Sequence, residues 1–140
     1  MKIVIFEGID RSGKDSAILA FHKLTGYQYP AINRFLGSHY VYGRLYKRPN
    51  PEQYLEFESQ LDLKNYFLVY LYSYTETIRQ RLIDTKETDI RPEDIDEITF
   101  YYSFWLANTK FNRIVINTSN ITPEQVADKV WTHLKLIRNS

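Results

Sequence analysis

Along this chain the apolar residues change rhythm repeatedly, from short unbroken runs to helical spacing and back. "KIVIF", Lys2 to Phe6, is a β-branched run ending at Gly8 and reads as a buried strand. Ala17, Ile18, Phe21 and Leu24 then recur at helical spacing from Lys14 onward, and Gly26 closes that helix. "YPAINR" is a second strand, weakened by Pro30. Phe35 to Tyr46 has a helical pattern that "RPNP" breaks, and residues 51–64 predict a further helix with Pro51 at its start. "YFLVYLY", Tyr66 to Tyr72, is the strongest strand of the chain. Thr75 to Ile83 is a Thr-capped helix, "DTKETDIRPED" (84–94) a polar excursion, and Ile95 to Ala107 an aromatic helix. "RIVIN", Arg113 to Asn117, is the last strand. The terminal helix follows, with Thr122 as cap and Glu124 and Gln125 in its first turn.

Strands thus alternate with helices. That order predicts an α/β fold, a short parallel sheet of about four strands flanked by helices and joined by right-handed crossovers. A length of 140 residues suits one domain over 1–140, and 44 % apolar residues suffice for a core. Lys+Arg is 18 and Asp+Glu 17, so the net charge of +1 brings no global attraction to nucleic acid or membrane, and any such binding needs a local patch. The absence of cysteine excludes disulfides, thiol catalysis and a cysteine-rich zinc site. His22, His39 and His133 lack metal-ligand spacing. No apolar run reaches membrane-spanning length, and "MKIVIFEG" is too short for a signal peptide. The expected location is the cytoplasm, or the host cytoplasm if the small size marks a viral chain.

The chemistry is concentrated in "FEGIDRSGKDS", Phe6 to Ser16. Gly8 is followed by Ile9, Asp10, Arg11 and Ser12, then Gly13, Lys14, Asp15 and Ser16. A tight turn from strand into helix aims several backbone N–H groups at one point, glycines let the backbone close around phosphate oxygens, and the helix dipole adds attraction. A lysine at position 14 then reaches the β and γ phosphates. The alternative, a glycine turn followed by a surface lysine, fits less well with an apolar strand before the loop and a helical pattern after it.

"FEGIDRSGK" resembles the opening of thymidylate kinases, within the nucleoside monophosphate kinases. "INRFLGSHYVYG" is similar to that family's Asp-Arg-aromatic motif with its following serine; "YFLVYL" with "IRQRL" and the polar excursion resembles its third strand, next helix and lid; "IVINTSNITPEQVADKVWTHL" resembles its last strand and helix. The resemblance implies a P-loop kinase fold and a phosphotransferase using Mg²⁺-ATP. It makes Arg11 a clamp on the transferred phosphoryl and Asp10 the group that orients or deprotonates an acceptor hydroxyl. Arg34 is then a phosphate ligand. The competing reading makes Asp10 and Arg11 solvated turn residues and Arg34 a strand-end ion pair. Glu7, at the strand's carboxyl end, either positions substrate or metal or is a surface acid.

Two departures stand out. Asp15 occupies the place of the Ser/Thr whose hydroxyl helps hold Mg²⁺, and Asn33 the place of the motif's Asp. An aspartate is itself a hard oxygen ligand, so the metal candidates are Asp15 and Ser16, with Asp15 standing in for the charge missing at Asn33. The other reading of Asp15 is a degenerate loop with weak ATP affinity. In addition, one helix leads directly from the loop to the motif strand, where the family has a longer stretch closing over the acceptor. An open acceptor side suits a substrate larger than a mononucleotide. Next to it, "SHYVYGRLYKR" places Arg44, Lys47 and Arg48 among Tyr40, Tyr42 and Tyr46, a pattern able to track a phosphodiester and stack bases, or simply a helix with buried tyrosines and solvated cations. Lys86 and Arg91 are the cations of the candidate lid at 84–94, and the competing reading, favoured for Lys86 by the segment's net negative charge, is a plain solvated loop.

The expected partners are therefore ATP and a pyrimidine deoxynucleotide acceptor, either DNA or free nucleotide. The leading expectation is phosphorylation of a modified base in DNA, as in phage enzymes that resemble thymidylate kinases and act on 5-hydroxymethyluracil. The alternatives are a free deoxynucleoside monophosphate kinase and a non-catalytic nucleotide-binding protein.

Overall fold

The computed structural model describes residues 2–9, 11–85 and 90–138, the side chains of Thr85 and Arg138 excepted. Four strands, β1 (Ile3–Glu7), β2 (Ala31–Asn33), β3 (Tyr66–Tyr72) and β4 (Arg113–Asn117), form one sheet in the order β2-β1-β3-β4. Every pairing is parallel; Ile5 lies beside Ile32 and Leu68, and Val69 beside Ile114. The helices are α1 (Lys14–Thr25), α2 (Leu36–Leu45), α3 (Gln53–Glu58), α4 (Thr75–Thr85), α5 (Ile95–Asn108) and α6 (Pro123–Arg138).

The two central strands read as unbroken apolar runs because both faces of the sheet are covered. Val4, Phe6, Phe67, Val69 and Leu71 point into a cluster with Ala17 and Phe21 of α1 and Val126, Val130 and Leu134 of α6. Ile5, Leu68 and Tyr70 point the other way, against Tyr40 of α2, Ile78 of α4 and Tyr102 and Trp105 of α5. Full burial of each such side chain contributes about 1.5–3 kcal/mol. The aromatic α5 divides between core and surface: Tyr102 and Trp105 are buried, whereas Phe100 and Phe104 are exposed.

Local chemistry explains the boundaries. The α6 start is a reciprocal cap: Gln125 N–H donates to Thr122 Oγ1 at 3.1 Å, and Thr122 N–H to Gln125 Oε1 at 2.7 Å. The helix predicted over 51–64 is shorter, only Gln53–Glu58. Ser59 Oγ takes the Glu56 carbonyl at 2.6 Å, and Glu58 turns inward to accept from Thr109 Oγ1 and, at 2.9 Å, from Lys110 N–H. A hydroxyl competing for helix carbonyls, together with a carboxylate drawn to the α5–β4 turn, ends the helix early.

Candidate active site

The chain passes from β1 to β2 on one side and then crosses back to β3 on the other, so the β1–α1 loop opens at the point where strand order reverses, where α/β folds place their binding crevices. Gly8 has φ +147°, and a Cβ there would lie 2.2 Å from the Leu71 carbonyl oxygen, so only glycine lets β1 turn this sharply against β3. Arg11 is also in the left-handed region, at φ 67°. The loop is held from below: Thr118 Oγ1, just past β4, donates to Ser12 O at 2.7 Å, and Arg81 Nη1 of α4 donates to Arg11 O at 2.5 Å.

Above the loop is a cleft of about 540 Å³. Gly13, Lys14, Asp15 and Ser16 bring the first turn of α1 to it, whose outermost N–H groups have no partner within the helix. Arg11, Arg34 and Arg81 add charge, and Ile121, Pro123 and Val126 form an apolar far wall. Lys14 is buried and folded back, donating from Nζ to Gly8 O at 2.6 Å and Ile9 O at 3.0 Å. Desolvation pushes its ammonium down to about 8, although Glu7 and Asp15 nearby act in the opposite sense. The Arg11 Nε lies out of solvent with no partner among the described residues.

The acid before the loop is neither a surface group nor a cleft ligand. Glu7 is fully buried. Its Oε2 accepts the N–H groups of Phe35 at 3.0 Å and Ser38 at 2.9 Å, and its Oε1 accepts Ser38 Oγ at 2.5 Å. Phe35 stands at the N-cap of α2 and has no side-chain oxygen, so Glu7 supplies the cap from another strand. Tyr102 completes this junction, donating to Gly8 O at 3.2 Å. Burial raises the Tyr102, Tyr42 and Tyr70 hydroxyls above their ordinary value.

The sequence candidates separate into groups. Arg11, Lys14, Asp15, Ser16 and Arg34 meet at the cleft, and Gly8, Ile9, Ser12 and Gly13 frame it. Asn33 joins them, its Nδ2 donating to Asp15 Oδ1 at 2.6 Å. Asp10 and Lys86 lie outside the described residues. Arg91 is taken up by Asp94, at 3.2 Å and 3.1 Å, and this pairing holds the Asp94 carboxyl below its ordinary value. At the described ends of the candidate lid, α4 runs on through Asp84 and Ile90 is buried. Tyr42 is buried on the inner face of α2, with the Arg34 guanidinium 5.4 Å from its ring centre, so its ring is not presented for base stacking. Arg44 pairs with Glu52 and packs over Tyr40, whereas Lys47, Arg48 and Tyr46 are exposed. Arg81 escaped the sequence reading. Its signal was "IRQRL" at helical spacing after the strongest strand, which does not reveal that the side chain reaches back to Arg11.

Sheet order, loop and cleft together define the fold of the P-loop kinases. No protein-family model matches the chain, and no curated protein matches it. Solved structures do. The YorR protein from Bacillus subtilis, crystallised in complex with phosphorylated GDP, matches over 99 % of both chains with 21 % identity and a TM-score of 0.76. Deoxyadenosine kinase from M. mycoides, with bound dCTP, matches over 96 % of this chain and 99 % of its own, with 17 % identity and a TM-score of 0.68. Among the described residues no helix is long and apolar enough to cross a membrane.

Proposed function

We propose that the protein is an ATP-dependent kinase that phosphorylates a small deoxynucleoside or deoxynucleotide. The observation that carries this reading is the glycine-framed turn into α1, where Lys14, Arg11, Arg34 and Arg81 surround one cleft. The triphosphate lies on the N–H groups of the first turn, and Lys14 turns from Gly8 O and Ile9 O to the phosphates. The purine rests against Ile121, Pro123 and Val126. Arg11 follows the charge that develops on the transferred phosphoryl, and Arg81 holds the backbone of that residue in place. Asp15 and Ser16 fit Mg²⁺ as hard oxygen ligands on the cleft wall, and the ion would neutralise phosphate charge. Asp10 is the candidate to orient the acceptor hydroxyl. The nucleotides carried by the two solved relatives support a nucleotide in this cleft.

A second reading keeps DNA carrying 5-hydroxymethyluracil as acceptor. It is favoured by the exposed Lys47, Arg48 and Tyr46 beside the short acceptor side. The burial of Tyr42 and the pairing of Arg44 weigh against it, and the free acceptor is preferred. The test is γ-labelled ATP with a panel of deoxynucleosides, dTMP, dUMP, unmodified DNA and hydroxymethyluracil DNA. Label in a free acceptor is expected. Label only in hydroxymethyluracil DNA would replace the first reading with the second, and none in any acceptor, with ATP bound, would leave a nucleotide-binding protein.

A further inference from the structure

The two positions at which this site departs from the family it resembles touch each other. Asn33 ends β2, Asp15 opens α1, and the Asn33 amide donates to Asp15 Oδ1 at 2.6 Å on the wall of the cleft. We propose that they form one device: Asn33 is a positioning residue that holds the Asp15 carboxylate as a ligand for a divalent cation, which would offset the charge of bound phosphates. The cleft then accepts a triphosphate only together with a metal. This rests on the nucleotide-binding reading above.

The chemistry favours this over a plain surface tie. A carboxylate in the first turn of α1 sits where phosphate oxygens gather, and without an intervening cation the two repel. Its partner is a neutral amide, which fixes an oxygen without cancelling its charge. One hydrogen bond occupies one of about four lone-pair sites on a carboxylate, so the others stay open to a cation. Lys14 turns its Nζ to Gly8 O and Ile9 O, and so leaves Asp15 facing the cleft. Ser16, on the same wall, adds a hydroxyl oxygen. Where the family pattern has a hydroxyl at position 15 and a carboxylate at position 33, this chain has a carboxylate and an amide, and the hydrogen bond between the two positions keeps the charge at the same corner of the cleft.

The experiment is calorimetric titration of ATP into the full chain, in EDTA and in Mn²⁺, with bound Mn²⁺ counted by electron paramagnetic resonance. The parent is expected to bind ATP at least about 10-fold tighter with Mn²⁺, and Asp15→Asn should reverse sign, binding tighter than the parent in EDTA and about 10-fold weaker in Mn²⁺. Asn33→Ala should lose about 10-fold in Mn²⁺ and far less in EDTA, as loss of a group that orients a metal ligand does. The exchanged double variant, Asp15→Asn with Asn33→Asp, should regain much of the Mn²⁺ affinity. Urea midpoints confirm folding, and Asp15→Ala replaces Asp15→Asn if the latter unfolds. Unchanged Mn²⁺ dependence in both Asp15 variants, or equal losses in EDTA and Mn²⁺ for Asn33→Ala, overturns the proposal while ATP binding stands. A parent that binds ATP in neither condition overturns the nucleotide reading, and the proposal with it.

Discussion

Replacing Lys14 by methionine should stabilise the protein in the absence of nucleotide while abolishing the phosphate binding proposed above. Burial lowers the Lys14 ammonium from 10.5 to about 8, a difference equivalent to roughly 3 kcal/mol of destabilisation at neutral pH. Against this stand two charge-assisted hydrogen bonds, to Gly8 O and Ile9 O, which methionine cannot make. Gly8 O keeps the Tyr102 hydroxyl, so only one carbonyl loses its donor. The net expectation is a gain of about 1–3 kcal/mol at pH 7. The pH dependence has a definite sign. Below pH 8 the lysine is charged in both states and the penalty is complete. Between 8 and 10.5 the unfolded chain holds a proton that the folded one has released, so parent stability rises with pH. Lys14→Met has no such titration, so its advantage should shrink as pH rises from 7 to 10. Urea midpoints of both proteins across that range measure the difference, and other titrating groups cancel. Adding Mg²⁺-ATP at 100 times its Kd should stabilise the parent by about 2.7 kcal/mol and leave the variant unmoved. A variant less stable than the parent at pH 7, or an advantage independent of pH, would refute the reasoning.

Substitutions at three further positions probe the supports of the site. Glu7→Ala leaves the first N–H groups of α2 and the Ser38 hydroxyl without their buried acceptor and should cost about 2–4 kcal/mol in urea unfolding, whereas Glu7→Gln, which keeps one acceptor oxygen, should cost less than half of that. Gly37→Ala would bring a Cβ within 2.8 Å of Glu7 Oε2 and of the Trp105 ring, and about 1–3 kcal/mol of destabilisation is expected from thermal melts. Arg11→Ala should lower kcat by about 10²–10³-fold with ATP affinity nearly unchanged, and equal losses in both would mark Arg11 as a ground-state phosphate ligand instead.

The sequence alone determined the order of elements and which residues make the loop after β1, because both are local. Unbroken apolar runs at Ile3–Phe6 and Tyr66–Tyr72 require two covered faces, and helical spacing between strands requires parallel crossovers. Gly8, Gly13 and Lys14 carry their meaning in a single turn, and the terminal helix bears its cap in Thr122 and Gln125. Contacts between distant segments could only be decided by the folded chain. Glu7 reads as a strand-end acid until the fold carries Phe35 and Ser38 to its carboxylate. Asp15 and Asn33 look like two separate losses until β2 pairs with β1 and lays one against the other. Arg81 is one more helical arginine until α4 packs beneath the loop, and Tyr42 is one of several tyrosines until α2 turns it inward. Spacing along a chain specifies which face of an element a residue occupies. What that face meets depends on sheet order and crossover, which are properties of the whole chain.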